Sequence, residues 1–234
     1  MPLAIAFRIE SVDALPSTQA EARARLDRGE DVDGLVVRAL EQTQGRGRRG
    51  RPWLSGPGGS YQTLAVRDPE PPRLAAGGSA IAVAIGLAGT LAAYGVKVEI
   101  KWPNDLLYRG RKLAGILTEY RRGHLLVGVG VNVANEVPEG ATALRGWDLE
   151  GVHAVVLEGI QRGLELWWNE AATLAERFAA HDALASRRVR ILAPEGPVEG
   201  TAAGIDAQGR LLVNTGEHVT HVSRGTVAAY AADP

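Results

Sequence analysis

Leu35-Val36-Val37-Arg38-Ala39-Leu40-Glu41-Gln42-Thr43-Gln44-Gly45-Arg46-Gly47-Arg48-Arg49-Gly50-Arg51-Pro52-Trp53 is the stretch around which the rest of the chain is arranged. Its first part, Leu35 to Leu40, reads as a strand. Its second part sets Gly45, Gly47 and Gly50 among Arg46, Arg48, Arg49 and Arg51. Glycines let a backbone approach a ligand closely. Arginine grips phosphate and carboxylate through a planar fork. Such a loop would bring N–H donors and fixed positive charge to one small anion, at a strand end where sheets place ligand sites. Two other readings stand beside this one: a basic patch for nucleic acid, and a solvated surface loop. The spacing does not match the phosphate loop G-x-x-x-x-G-K-[ST]. Gly45-x-Gly47-x-x-Gly50 fits the letters of a dinucleotide fingerprint, but Pro52 and the glycines from Gly56 to Gly59 argue against a helix starting there.

The whole chain narrows the choice. Its 234 residues suffice for one large domain, or one domain plus a small one. Net charge is −1, so the arginines are a local feature and a nucleic-acid role is weakened. There are no cysteines, which excludes disulfides, thiolate zinc sites and cysteine nucleophiles. The five histidines lack metal-ligand spacing. Met1 to Glu10 has no long apolar core of the signal-peptide kind. Ile81 to Ala93 is interrupted by glycines and too short to span a bilayer. A cytoplasmic protein without membrane contact is expected.

Outward from the loop, Leu3 to Ile9 is a strand candidate. Thr18-Gln19-Ala20-Glu21 has the form of a capping box, predicting a helix to about Asp27 that ends at Gly29. By position alone, Ser17 and Thr18 would only cap it. Tyr61 to Val66 reads as a strand and Asp68 to Pro72 as a breaker. Ala75 to Tyr94 reads as a buried helix. Val96, Val98 and Ile100 alternate with charged residues, as in a half-exposed strand. Lys101-Trp102-Pro103-Asn104-Asp105-Leu106 follows; Asp105 offers a hard oxygen for Mg²⁺, although a plain Asx turn looks similar. Tyr108-Arg109-Gly110-Arg111 is a tight turn. Lys112 to Glu119 is a strand with Gly115 inside it, where a ligand or another backbone could approach. The next strand, 124–131, carries two further glycines, for which the bland reading is helix packing on the sheet. Residues 151–184 are helical by pattern, with Leu157, Ile160, Leu164, Trp167, Leu174 and Phe178 facing the core. Five short strands follow, at 189–192, 198–203, 211–214, 218–222 and 226–229. Strands of that length and spacing close into a small barrel. A domain boundary is placed near residue 186, giving units 1–186 and 187–234.

Order and spacing together are more specific than any piece. Ser17-Thr18-Gln19, the loop from Gln42 to Trp53, Lys101-Trp-Pro-Asn-Asp-Leu106, Lys112-Leu-Ala-Gly-Ile-Leu117, Gly128-Val-Gly-Val-Asn132 and Gly204-Ile-Asp206 closely resemble a bacterial biotin–protein ligase over nearly the whole chain. The resemblance implies an α+β fold of the class II synthetase and biotin ligase kind. That is a mixed, largely antiparallel sheet flanked by helices, with a small C-terminal SH3-like β-barrel. It implies that biotin and ATP form biotinyl-5′-AMP, and that biotin then passes to a lysine of a biotin carboxyl carrier domain. By resemblance Ser17, Thr18, Gln19 and Gln42 hold the biotin head group, with Gly115 beside it. Arg46, Gly47 and Arg48 wrap the carboxylate and α-phosphate. Arg49, Arg51 and Trp53 belong to the same loop over the adenylate. Lys112, Arg48 and Lys101 are the catalytic candidates. Asn104, Asp105 and Asn132 lie on the nucleotide side, Asp105 being the candidate Mg²⁺ ligand. Gln19 departs from the family's usual Asn, and Gly58-Gly59-Ser60-Tyr61 departs from its usual strand entry. Only about sixteen residues precede Ser17, so a short form without a DNA-binding domain is expected. An edge-to-edge homodimer is the expected assembly. A lipoate or octanoate ligase on the related fold, and a nucleic-acid-binding regulatory module, are the alternatives.

Overall fold

In the computed structural model, residues 5–68 and 77–230 are described. The elements run β1 (Arg8–Leu15), α1 (Thr18–Asp27), β2 (Leu35–Gln42), β3 (Ser60–Arg67), α2 (Gly78–Ala93), β4 (Glu99–Lys101), β5 (Asp105–Tyr108), β6 (Arg111–Arg121), β7 (His124–Val131), α3 (Leu149–Asn169) and α4 (Leu174–Ala179). Then come β8 (Arg188–Ala193), β9 (Gly196–Ile205), β10 (Leu211–Asn214), β11 (Val219–Val222) and β12 (Thr226–Tyr230). The first seven strands form one sheet in the order β1-β2-β3-β7-β6-β5-β4. Only β1 and β2 pair in parallel; every other ladder in that sheet is antiparallel. The mixed, largely antiparallel α+β expectation therefore holds.

Side-chain alternation gives the sheet two different faces. On one, Val36, Leu64, Ile116 and Val127 meet α2 and α3 in the main core. On the other, Val37, Ala65 and Leu126 meet Ala22 and Leu26 of α1 in a smaller cluster. Helix α2 is apolar nearly all round because α3 covers its outer side. The two helices touch so closely that a Cβ on Gly163 would stand 2.4 Å from the Val83 Cα.

All five short C-terminal strands form, as a second antiparallel sheet in the order β11-β10-β9-β8-β12. Its pairing ends at β11 and β12, which form its two edges; the expected closed barrel is not seen in the strand ladders. Ile191, Leu211 and Val213 of this sheet share the main core with Ile100 and Trp102, and Trp102 Nε1 donates to the Gly209 carbonyl at 3.0 Å.

Several local expectations shift. The first strand is Arg8–Leu15 rather than Leu3 to Ile9; it is a largely exposed edge strand, so its length follows pairing with β2 and not an apolar run. Helix α1 is capped by Ser17, whose Oγ accepts from the Ala20 N–H, one residue before the capping box suggested. The strand over 96–101 is only Glu99–Lys101, although Val96, Val98 and Ile100 are buried as its alternation required. The helical region 151–184 breaks after Asn169, where a short 3₁₀ turn separates α3 from α4; its six named core residues are buried. Most of the breaker at 68–72, and Ala75 at the start of the expected helix, fall outside the described residues. Among the described residues no helix is long and apolar enough to cross a membrane.

Candidate active site

The arginine loop is a folded hairpin. Gln42 N–H donates to the Ser55 carbonyl at 3.0 Å, Trp53 N–H to the Gly45 carbonyl at 2.8 Å, and Gly47 N–H to the Arg51 carbonyl at 2.8 Å. Arg49 and Gly50, at φ 57° and 71°, turn its tip through left-handed geometry, where glycine is at ease and arginine is not. The hairpin folds over a cleft lined by the start of α1, the end of β2, the middle of β3, β6 and β7, the β4–β5 turn and the start of β12. Every site residue expected from the sequence lines this cleft except Asn132. That side chain is buried elsewhere: its Nδ2 donates to the Thr142 carbonyl and its Oδ1 accepts from Asn135.

The cleft has a polar end and a cationic end. At the polar end Gln42 Oε1 accepts from Thr18 N–H and Thr18 Oγ1 at 2.9 and 3.2 Å. Thr63, on β3, donates to Thr18 Oγ1 at 2.8 Å. Ser17, Thr18, Gln19 and Thr63 are all buried. Gln19 lies across β7: a Cβ on Gly128 would stand 2.5 Å from its Oε1, so the glycine admits the longer amide. Thus Ser17 caps α1 and lines the cleft as well, and Gly128 does accommodate a helix side chain. Gly115 and Gly130 face each other across β6 and β7 and make a flat floor. The Trp53 indole rests on it, so close that a Cβ on Gly130 would come within 2.6 Å of Nε1. That Nε1 is buried with no hydrogen-bond partner.

At the cationic end six side chains, Arg46, Arg48, Arg49, Arg51, Lys101 and Lys112, line the cleft with one carboxylate, Asp105. Lys112 Nζ pairs with Asp105 Oδ1 at 2.7 Å and stands 5.1 Å from the Trp53 ring centroid. Arg48 Nη1 donates to Asn104 Oδ1 at 3.3 Å, and Asn104 Nδ2 to the Ile116 carbonyl at 2.9 Å. Burial pushes the Arg48 pKa down and the neighbouring Arg49 adds to this, Asp105 opposing. Burial also lowers the Lys101 pKa, which Asp105 partly offsets. A low-dielectric pocket holding several cations and one anion is a site awaiting negative charge. It holds no hydroxyl–histidine pair of the nucleophilic kind, so the arrangement suits positioning and charge stabilisation.

Two exposed arginines of the hairpin reach the second sheet. Arg49 Nη1 and Arg51 Nη2 both donate to Thr226 Oγ1, at 3.3 and 3.2 Å, and Lys101 Nζ lies 4.8 Å from the Tyr230 ring centroid. The second sheet therefore reaches the cleft through β12. Thr63, Ser55, Thr226 and Tyr230 were not among the residues expected from sequence. Thr63 could have been found as a polar residue in a strand otherwise bound for burial. Nothing local marks Thr226, which is brought in only by the tertiary fold.

Asp105, already paired with Lys112, is the one carboxylate lining the cleft, and no cluster of three or more metal-binding side chains occurs among the described residues. That donor set suits Mg²⁺ carried on nucleotide phosphates, not one caged by protein.

Known proteins share this chain's sequence pattern and fold. A model of the biotin/lipoate A/B protein ligase family matches residues 12–134, and one of the biotin protein ligase C-terminal domain matches residues 187–228. The chain is 35% identical over 234 residues to the biotin–[acetyl-CoA-carboxylase] ligase of Mycobacterium tuberculosis, covering 94% of this chain and 88% of that protein. It is 33% identical over 222 residues to the bifunctional ligase/repressor BirA of Escherichia coli, covering 87% and 69%. The biotin protein ligase of Aquifex aeolicus, solved in complex with biotin and ATP, superposes with a TM-score of 0.82 at 27% identity, over 93% of this chain and 96% of that one. With both family models placed along the chain and a relative matching nearly its full length, the chain belongs to the biotin protein ligase family.

Proposed function

We propose that this cleft carries out both steps of ATP-dependent biotin–protein ligation. Biotin and ATP are the substrates, and the acceptor is a lysine of a biotin carrier domain. The observation that carries the reading is the joining of one neutral polar end to one cationic end across a glycine floor. Biotin has the matching form: a neutral, hydrogen-bonding head and a carboxylate tail.

The head group would sit against Ser17, Thr18 and Gln42, with Gln19 and Thr63 behind them and the Trp53 indole, packed on Gly115 and Gly130, beside it. The carboxylate would then point toward Lys112, Arg48 and Arg46. In the first step a carboxylate oxygen attacks the α-phosphorus of ATP, an O–P bond forms, and the bond to pyrophosphate breaks. Lys112, Arg48 and Lys101 would stabilise charge on the phosphoryl oxygens, and the Gly47 backbone would border them. Arg49 and Arg51 would follow the departing phosphates, and Trp53 would cover the acyl end of the adenylate against water. Asn104 would orient Arg48. Asn132 would act only indirectly, holding the turn after β7. Magnesium would enter on the nucleotide and supply charge neutralisation there, with Asp105 as its one protein ligand. In the second step the carrier's lysine amine attacks the acyl carbon and AMP leaves.

The chain is read as a catalytic unit, 1–186, and a C-terminal unit, 187–234, of the SH3-like kind. Edge strand β1 exposes Ile9 and Val12, a surface on which an edge-to-edge homodimer would form. The match to the biotin-ligase C-terminal domain favours biotin over lipoate, and a net charge of −1 disfavours a nucleic-acid patch.

Incubation with biotin, ATP and Mg²⁺ should release pyrophosphate and yield a biotinyl-AMP mass. Adding a carrier domain should give a streptavidin-reactive band. Adenylation of octanoate or lipoate in preference to biotin would overturn the reading.

A further inference from the structure

The hydrogen bonds behind the polar end run in one direction. The Thr18 backbone N–H can only donate, so Gln42 must turn its Oε1 toward α1. Its Nε2 then faces Ser55 and donates to Oγ at 2.8 Å. Ser55, having accepted, donates its own proton to the Trp53 carbonyl at 3.1 Å. On the other side Thr63 donates to Thr18 Oγ1, which donates in turn to Gln42 Oε1. Thr63 Oγ1 also lies 3.4 Å from Gln19 Oε1, so the direction is fixed on the Gln42, Ser55 and Trp53 side, where a backbone N–H opens the chain and a carbonyl closes it.

Ser55 is the side-chain link between Gln42 and the arginine hairpin in this chain. It is 4% exposed, so bulk water is poorly placed to replace it. Only glycine fits at position 45 beside it. A Cβ on Gly45 would stand 2.5 Å from both Ser55 Oγ and the Trp53 carbonyl oxygen.

We propose that Ser55 is a positioning residue that ties the fold of the arginine hairpin to the orientation of the Gln42 amide. It couples head-group binding to the loop that covers the reacting end. This rests on the biotin-ligase reading of the cleft. Without the hydroxyl, Gln42 Nε2 loses its partner and the amide gains freedom, while the hairpin loses a tie at its base. Coupling is reciprocal, so biotin binding then holds the hairpin folded, and a folded hairpin raises biotin affinity.

The test compares Ser55→Val with Ser55→Thr, which are close in shape and differ in the hydroxyl. Ser55→Val should raise the KM for biotin about tenfold, the scale of one buried hydrogen bond, and leave the KM for ATP within about twofold. Ser55→Thr should stay within about threefold of the unaltered chain for both substrates. Tryptic cleavage after Arg46, Arg48 or Arg49 gives a second readout; Pro52 protects the bond after Arg51. Biotin alone should slow it in the unaltered chain and in Ser55→Thr, but not in Ser55→Val. Equal behaviour of the two variants, whether both active or both impaired, overturns the proposal, because the hydroxyl would then be idle or only shape would matter. A parallel rise in both KM values overturns it as well. If the unaltered chain releases no pyrophosphate from biotin and ATP, the ligase reading fails instead. Ligand-free cleavage, expected faster in Ser55→Val than in Ser55→Thr, still tests the tie.

Discussion

Strand β3 carries polar side chains on both faces, and their fates differ. Thr63 points toward α1 and joins the chain through Thr18 and Gln42 that borders the cleft. Ser60 and Gln62 point the other way, under α3, into a network that is buried except at its rim, where Glu150 reaches solvent. There Ser60 Oγ and His153 Nδ1 are 2.8 Å apart, Gln62 Nε2 donates to the His153 carbonyl at 2.9 Å, and Arg38 pairs with Glu150 at 3.2 Å. His153 Nε2 and Arg38 Nε are buried without partners. Both networks are costly to bury. The first has a cleft beside it that a ligand can fill, and the second has none. One is therefore read as binding machinery, the other as a buried group whose charge state matters to folding.

The largest expected effect lies at the cleft. Lys112→Ala removes a cation already ion-paired in place, 2.7 Å from Asp105. Pyrophosphate release should fall by about 10²–10³-fold, the scale of losing one preorganised charge-stabilising group. Near-normal release would mean that this end of the cleft is not where charge develops.

The network under α3 predicts stability instead of rate. Burial lowers the His153 pKa to about 4, Arg38 pushing the same way and Glu150 opposing. An unfolded histidine titrates near 6.5. Between those values the unfolded chain binds the proton and the folded chain does not. Stability from this group is full above about pH 6.5 and is lost as pH falls toward 4, by at most about 3 kcal/mol. Urea unfolding at pH 7 and pH 4.5 measures it. His153→Gln should flatten that difference and leave the KM for biotin at pH 7.5 unchanged. An undiminished pH slope in the variant would assign acid sensitivity to other groups.

These two networks were unequally legible in the sequence. The cleft's cations come from two contiguous runs, Arg46 to Arg51 and Lys101 to Lys112, whose residue types carry their chemistry with them. The strands and helices beneath them follow from periodicity, which is local. What stayed hidden is non-local. Ser60, Gln62 and His153 meet only because α3 crosses β3. Thr226 meets Arg49 and Arg51 across more than 170 residues. The apolar run near the N-terminus misled for a related reason: β1 is an edge strand held by its ladder, so burial left no pattern in it. Asn132, grouped with the nucleotide residues by resemblance, holds the turn after β7 and does not line the cleft.

The glycine floor gives a smaller test on the cleft side. Gly130→Ala places a methyl group 2.6 Å from Trp53 Nε1, where real contacts do not occur, so the indole must lift. Adenylation should fall about tenfold with the circular dichroism spectrum unchanged, the cost of about 1.4 kcal/mol in positioning. Unaltered kinetics would show that Trp53 does not need its floor.

Thr226→Val should do least, and the reason sharpens the contrast between a network with a ligand and one without. Arg49 and Arg51 share this one hydroxyl through two long, exposed hydrogen bonds. Exposed bonds of that kind contribute little. A neutral acceptor gives way readily to phosphate, whereas a carboxylate there would compete with it. The KM for ATP should therefore change by only about two- to threefold, in parallel with the modest energy of such contacts. Raising the salt concentration should shrink the difference further, because exposed charges are screened. A tenfold or larger loss would show that β12 holds the arginines in place as firmly as α3 holds His153, and the division between exchangeable and buried partners would fail.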